Sequence, residues 1–192
     1  MMGFWAWYLI IVNAIGFVLF LINTWLYSHT EEGQVDKWLT ITSLLGGSAG
    51  ILLAILIFDR KAVKGNMMSR VFIACIFVIQ LVVFLFIKGG HVDKLIYNVS
   101  SFFNHYKWLF IYLLIINITT FIAFTVDKFN AIEGRTRIRI VTLLGLAFFG
   151  GSVGGIGAMY LFRHKTSKDY FTVGIPLIMI MQVVVLGYIF LT

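Results

Sequence analysis

Six long apolar runs occupy most of this chain: Phe4–Leu26, Trp38–Phe58, Val71–Ile87, Trp108–Val126, Ile140–Phe162 and Phe171–Leu191. About twenty apolar residues is the length at which a helix crosses a bilayer. The runs are apolar on every face, whereas barrel strands alternate, so the expected fold is all-α: a polytopic membrane protein with six transmembrane helices. Hydrophobic residues make up 60% of the chain and charged residues 12%, too little polar surface for a water-soluble domain of this length. Only short loops remain outside the membrane, which leaves no soluble catalytic domain. Trp5, Trp7, Trp25, Trp38 and Trp108 fall near segment ends, as interfacial anchors do. The net charge of +7 suits anionic headgroups. Nucleic acid is not expected as a partner, because the basic residues are scattered over short loops beside the membrane.

The chain also repeats itself at a shift of roughly a hundred residues, the size of a small membrane module. Gly46, Gly47, Ser48 and Gly50 fall on Gly150, Gly151, Ser152 and Gly154, and Asn13 falls on Asn117. Phe17, Phe20, Ala54, Phe58, Lys61 and Lys64 fall on Phe121, Phe124, Ala158, Phe162, Lys165 and Lys168. Bulk hydrophobicity does not align glycines, an asparagine and loop cations. The expected organisation is a three-helix repeat over residues 1–90, a connecting loop over 91–107 and a second three-helix repeat over 108–192. An odd number of crossings per repeat would insert the second copy upside down relative to the first.

Loop charges can be weighed against that inverted arrangement. With the N-terminus inside, the inner loops carry Arg60, Lys61, Lys64, Arg70, Lys128, Arg135, Arg137 and Arg139. The outer loops carry Lys37, Lys88, Lys94, Lys107, Arg163, Lys165 and Lys168. Eight against seven gives the positive-inside rule almost nothing to act on, as expected for two basic-looped modules in opposite senses. The alternative is that an apolar segment is re-entrant, which would place both basic loops of a repeat on one side.

The second half carries a set of residues with a known counterpart. Asn117, Asp127-Lys128, Ala131, Gly134, Arg137-Ile138, Thr142-Leu143, Gly150-Gly151-Ser152 with Gly154, and Phe162-Arg163-His164-Lys165-Thr166 resemble the bacterial and archaeal membrane family called domain of unknown function 1294. With flanking helices the resemblance extends over roughly residues 107–191. It implies a multi-pass protein of a bacterial or archaeal plasma membrane and no established activity. Relatives tend to have Pro-Glu after the Arg-Ile pair, where this chain has Arg139-Ile140. Some are fused to a cold-shock domain, which is not found in this sequence, so no nucleic-acid role carries over. The first half has Asn23-Thr24 where Asp127-Lys128 would stand and Asp59-Arg60 where Arg163-His164 would stand. It is expected to supply fold, and the second half any site.

Candidate residues fall into two groups. The first is Gly46, Gly47, Gly50, Gly150, Gly151 and Gly154, whose spacing suits close helix packing, or a helix break that exposes backbone to a substrate at mid-membrane. The second is a set of polar groups that could touch substrate or lipid: Asn13, Asn117, Asp127, Lys128, Arg137, Arg163, His164 and Lys165. Asn, Gln and hydroxyl groups in lipid usually satisfy one another, and cations at a helix end usually anchor it. His164 fits neither habit, since an anchor gains nothing from a side chain that titrates near neutral pH. With helices read as continuous, Asp127-Lys128 and Arg163-His164-Lys165 lie on opposite membrane faces and are not expected to form one site. Pro176, inside the last run, should kink that helix and can mark a hinge.

No catalytic residues, metal ligands or cofactor site are expected. The four histidines lie in separate loops, no nucleotide-binding glycine loop follows a strand, and no serine sits in a nucleophile elbow. No Asp, Glu, Lys or Arg lies at mid-span, which counts against a proton-driven carrier. The expected function is a small transporter, channel or lipid-moving protein with the second and fifth helices central. A membrane scaffold or accessory subunit and an intramembrane enzyme acting on lipid headgroups remain the alternatives. The bilayer itself, anionic headgroups, a second copy or a partner membrane protein are the expected partners.

Overall fold

A computed structural model of the chain describes residues 4–29, 36–59, 67–89 and 104–191. The regular structure is helix, with no strand among the described residues. In chain order the helices are α1 (Phe4–His29), α2 (Asp36–Thr42), α3 (Ser48–Phe58), α4 (Met67–Gly89), α5 (Lys107–Ile132), α6 (Ile140–Leu146), α7 (Ser152–Leu161), α8 (Asp169–Thr172) and α9 (Gly174–Leu191). Six segments are long and apolar enough to cross a membrane: Trp5–Leu26, Lys37–Phe58, Met67–Lys88, Lys107–Ile132, Ile140–Leu161 and Asp169–Phe190. The chain divides into two compact units, Met1–Phe84 and Leu85–Thr192. Most of the expected connecting loop, with His91 and Lys94, lies outside the described residues, as do Arg60, Lys61 and Lys64.

Two of the six segments break near their middle. Ser43–Gly47 separates α2 from α3, and Ala147–Gly151 separates α6 from α7. Each stretch widens the helix and then breaks it at a glycine, Gly46 at φ 109° and Gly150 at φ 123°. A Cβ makes that left-handed region costly, so glycine is the residue that lets the chain turn there. The break therefore divides the second glycine cluster. Gly154 and Ala158 stay on α7, while Gly150 belongs to the turn.

The direction of the chain after the break is set by its neighbours. Along α5, Tyr112 meets Phe149, Asn117 meets Gly150 and Gly154, Phe121 meets Phe162, and Asp127 meets His164. Both series rise together, so α7 runs parallel to α5. The approach to α6 starts at the same end, where the Ile138 N–H donates to Asp127 Oδ1 at 2.9 Å. Both ends of the α6–α7 pair thus lie beside the C-terminal end of α5. The first unit repeats the pattern: Tyr8 meets Leu45, Asn13 meets Gly46 and Gly50, and Phe17 meets Phe58, so α3 runs parallel to α1.

Packing at these crossings is backbone against backbone. An added Cβ on Gly154 would overlap the Asn117 carbonyl, and one on Gly50 would overlap that of Asn13. The core of the second unit is built from Phe124, Leu143, Met159, Phe171, Ile175 and Ile178, all fully buried. That of the first is Phe20, Leu39, Ile51, Ala54, Ile55 and Ile73. Ile115, Ile118 and Ile122, one turn apart on α5, are exposed and form an apolar outer face suited to lipid. The last segment breaks at Val173, between α8 and α9. Pro176 has no N–H for the Thr172 carbonyl, and its ring would crowd it.

Candidate functional site

Two polar clusters stand out in the second unit, one at the helix break and one at the end where the broken segment begins and finishes. At the break, Asn117 Nδ2 donates to the carbonyls of Leu113 at 2.7 Å and Gly150 at 2.8 Å, and its Oδ1 accepts from the Gly154 N–H at 2.8 Å. Gln182 Nε2 donates to Ala147 O at 2.6 Å and Phe148 O at 3.1 Å, while its Oε1 accepts from the Ser152 hydroxyl. The Tyr112 hydroxyl donates to Phe149 O at 2.5 Å. Every carbonyl from Ala147 to Gly150 thereby receives a side-chain donor. Breaking a helix in lipid frees backbone groups that water cannot satisfy, at several kcal/mol each. The three side chains answer that need.

The first unit makes the same bonds with the matching residues. Asn13 donates to Leu9 O at 2.8 Å and Gly46 O at 3.0 Å and accepts from Gly50 N at 2.7 Å. Gln80 donates to Ser43 O at 2.7 Å and Leu44 O at 3.2 Å and accepts from Ser48 at 2.5 Å. Tyr8 donates to Leu45 O at 2.8 Å. The two tyrosines were not among the sequence candidates, although they align at the same shift as the asparagines. That alignment is the signal by which they could have been found.

The second cluster surrounds Asp127, whose side chain is fully buried. Its Oδ2 lies 2.9 Å from His164 Nε2 and 2.6 Å from Lys165 Nζ, and its Oδ1 takes the Ile138 N–H. Lys165 Nζ also sits 4.7 Å above the Phe171 ring, a cation–π contact. One carboxylate so ties the start of α6 and the end of α7 to α5. The expectation that Asp127 and His164 lie on opposite faces is corrected here. It assumed an unbroken helix over 140–162, and the reversal at Gly150 brings the two motifs together.

The way α7 ends aims His164 and Lys165 at the carboxylate. The His164 N–H reaches back to Met159 O at 3.0 Å and the Arg163 N–H to Tyr160 O at 3.3 Å, a Schellman closure with Arg163 at the left-handed position, φ 45°. Lys165 is also left-handed, at φ 61°. Two side-chain-bearing residues in that region cost about 1–3 kcal/mol each. Asp127 offsets that strain with a charge-assisted pair. At the end of α5 the same closure uses Gly134, φ 69°, with the Arg135 N–H on Asn130 O. Of the other sequence candidates, Lys128 is half-buried, and Arg137 and Arg163 are exposed outside this cluster.

Asn117, Asp127, Gly150, Ser152, His164 and Lys165 fall within the stretch shared with a known family, while Tyr112 and Gln182 flank it. The family described as "Protein of unknown function (DUF1294)" matches residues 117–171, which begins at the asparagine of the break and ends at the phenylalanine under Lys165. The uncharacterized protein YsdA of Bacillus subtilis (strain 168) is 32% identical over 76 residues, covering 40% of this chain and 85% of that protein. No solved structure matches the chain. With a relative covered over most of its length and a family match centred on the broken helix and its buried carboxylate, this multi-pass membrane protein belongs to the DUF1294 family.

Proposed function

We propose that the protein moves a small solute, an ion or a lipid across a bacterial or archaeal plasma membrane, with the two broken segments as its working parts. The observation that carries this reading is the set of carbonyls at Ala147–Gly150, held by Asn117, Tyr112 and Gln182 midway along an apolar segment. Discontinuous helices with polar groups at depth are how many transporters coordinate what they carry. Each carbonyl is released by rotating one side chain, so the break can exchange an internal donor for a passing ligand without unfolding α7.

One observation favours a second reading, a scaffold or accessory subunit. The carbonyls at the break already have donors, so the hairpin is complete without a ligand. Purified protein in liposomes separates the two. Ion or solute flux, or lipid scrambling, that falls at least tenfold in Gln182→Leu and Tyr112→Phe while His164→Ala retains it supports transport. No flux from any preparation, together with a membrane protein that co-purifies at fixed stoichiometry, supports the scaffold. Headgroup turnover lost in His164→Ala would instead point to an enzyme.

A further inference from the structure

The depth of the broken segment says where its ends belong. From Asp127, beside its mouth, back to Leu113, beside its tip, is about 20 Å along α5 at 1.5 Å per residue. The hydrocarbon core is about 30 Å thick. A segment that enters beside Asp127, turns at Gly150 and returns to Asp127 therefore goes deep without crossing. Its flanking sequences must emerge on one side.

Those sequences are basic. Arg135, Arg137, Arg139, Arg163 and Lys168 are exposed and Lys128 is half-buried. Glu133 holds Arg135 at 2.9 Å, and Asp169 is exposed nearby in sequence. Arg137, Arg139 and Arg163 form no ion pair among the described residues. Close to these cations in sequence, Phe129, Ile132 and Leu161 are exposed apolar side chains. Arginine above an exposed apolar band matches a lipid's phosphate above its acyl chains.

We infer that residues 138–164 form a re-entrant hairpin that leaves the bilayer by the face it entered, and that the cations around its mouth bind anionic phospholipid headgroups of that leaflet. On the positive-inside rule this face is cytoplasmic, because Lys128, Arg135, Arg137, Arg139, Arg163, Lys165 and Lys168 all gather there while Lys107 opens α5 at the other end. A unit with one such hairpin crosses the membrane an even number of times, which removes the reason for expecting inversion between repeats.

Two measurements on the full chain test this. In a Cys75→Ser background, Thr136→Cys and Ser167→Cys are each probed with a membrane-impermeant thiol reagent in intact and permeabilised cells. Equal behaviour at the two positions, protected in intact cells and labelled once opened, is the expected result. Labelling of one position but not the other in intact cells overturns the hairpin, and labelling of both places the mouth on the outer face and overturns the cytoplasmic assignment. For the headgroup surface, lipid retention is read by native mass spectrometry from mixed phosphatidylglycerol and phosphatidylcholine. The chain should retain phosphatidylglycerol preferentially, and Arg137→Gln with Arg139→Gln and Arg163→Gln should lower that preference by on the order of tenfold or more. An unchanged preference in the monodisperse triple variant overturns the surface. Its abolition by millimolar inorganic phosphate at constant ionic strength would assign a free-anion site instead.

Discussion

The two units share their middle and differ at their mouths. At the break they agree bond for bond: an asparagine spanning a carbonyl and an N–H, a glutamine holding two carbonyls and a serine, and a tyrosine on a fourth carbonyl. At the mouth, the second unit has the buried Asp127 with His164, Lys165 and the Ile138 N–H. The first has a buried Asn23 at the matching position of α1, and an Asp59–Arg70 pair of 2.9 Å that joins the end of α3 to the start of α4. A broken helix in lipid is unaffordable without its donors, so the donors persist wherever the break does. The mouth borders water, where several arrangements suffice. A charge kept buried there asks for a reason beyond folding.

The sharpest way to break the comparison is at the close approaches. Gly154→Ala and Gly50→Ala each drive a methyl into an asparagine carbonyl that belongs to the backbone. Overpacking that cannot be relieved by a rotamer should cost about 3 kcal/mol or more, seen as loss of the folded peak in detergent-phase size exclusion. If one position tolerates alanine and the other does not, the units are not equivalent.

Next in size is Asp127→Asn. Removing one member of a buried pair costs about 3–5 kcal/mol, and partial exposure of Lys165 and His164 places this one toward the lower end. Asn23→Ala in the first unit removes a neutral group and should cost about 1–3 kcal/mol. Thermal melts of both variants in the same detergent measure the gap. Equal losses would mean that Asp127 is only a structural tie.

At the breaks the effects should match between units. Asn117→Leu and Asn13→Leu each strand one carbonyl and one N–H, for about 2–4 kcal/mol, and protease sensitivity within residues 140–161 or 37–58 should rise by similar factors. The smallest effect has the opposite sign. Arg163→Gly relieves a left-handed arginine and should stabilise the second unit by about 1 kcal/mol, read as a rise in Tm. A fall would mean that the arginine side chain contributes more than its backbone strain costs.

Much of this was legible in the residues. Apolar run length predicted the helical segments to within a few residues, since lipid imposes the same demand on every backbone group. The alignment of Asn13 with Asn117 and of the glycine clusters marked the centre of each unit. Hydropathy, however, counts length and not direction. An apolar run of twenty-odd residues with a glycine pair at its middle reads alike whether it crosses or turns back. On the re-entrant arrangement inferred above, the loop charges carried a hint, because their even split follows from counting residues 140–162 as one crossing.

The amino-acid sequence by itself determined that this chain is a multi-pass helical membrane protein with its glycines and amides at matched places, because those outcomes follow from composition and spacing. Tertiary structure decided that Gly46 and Gly150 adopt the left-handed region, which glycine permits without requiring. The choice is made by neighbours remote in sequence: Tyr112, Asn117 and Gln182 supply donors for the carbonyls freed by the turn. Only after that turn can Asp127 meet His164 and Lys165. Their encounter depends on where a helix ends its path, which no local pattern encodes.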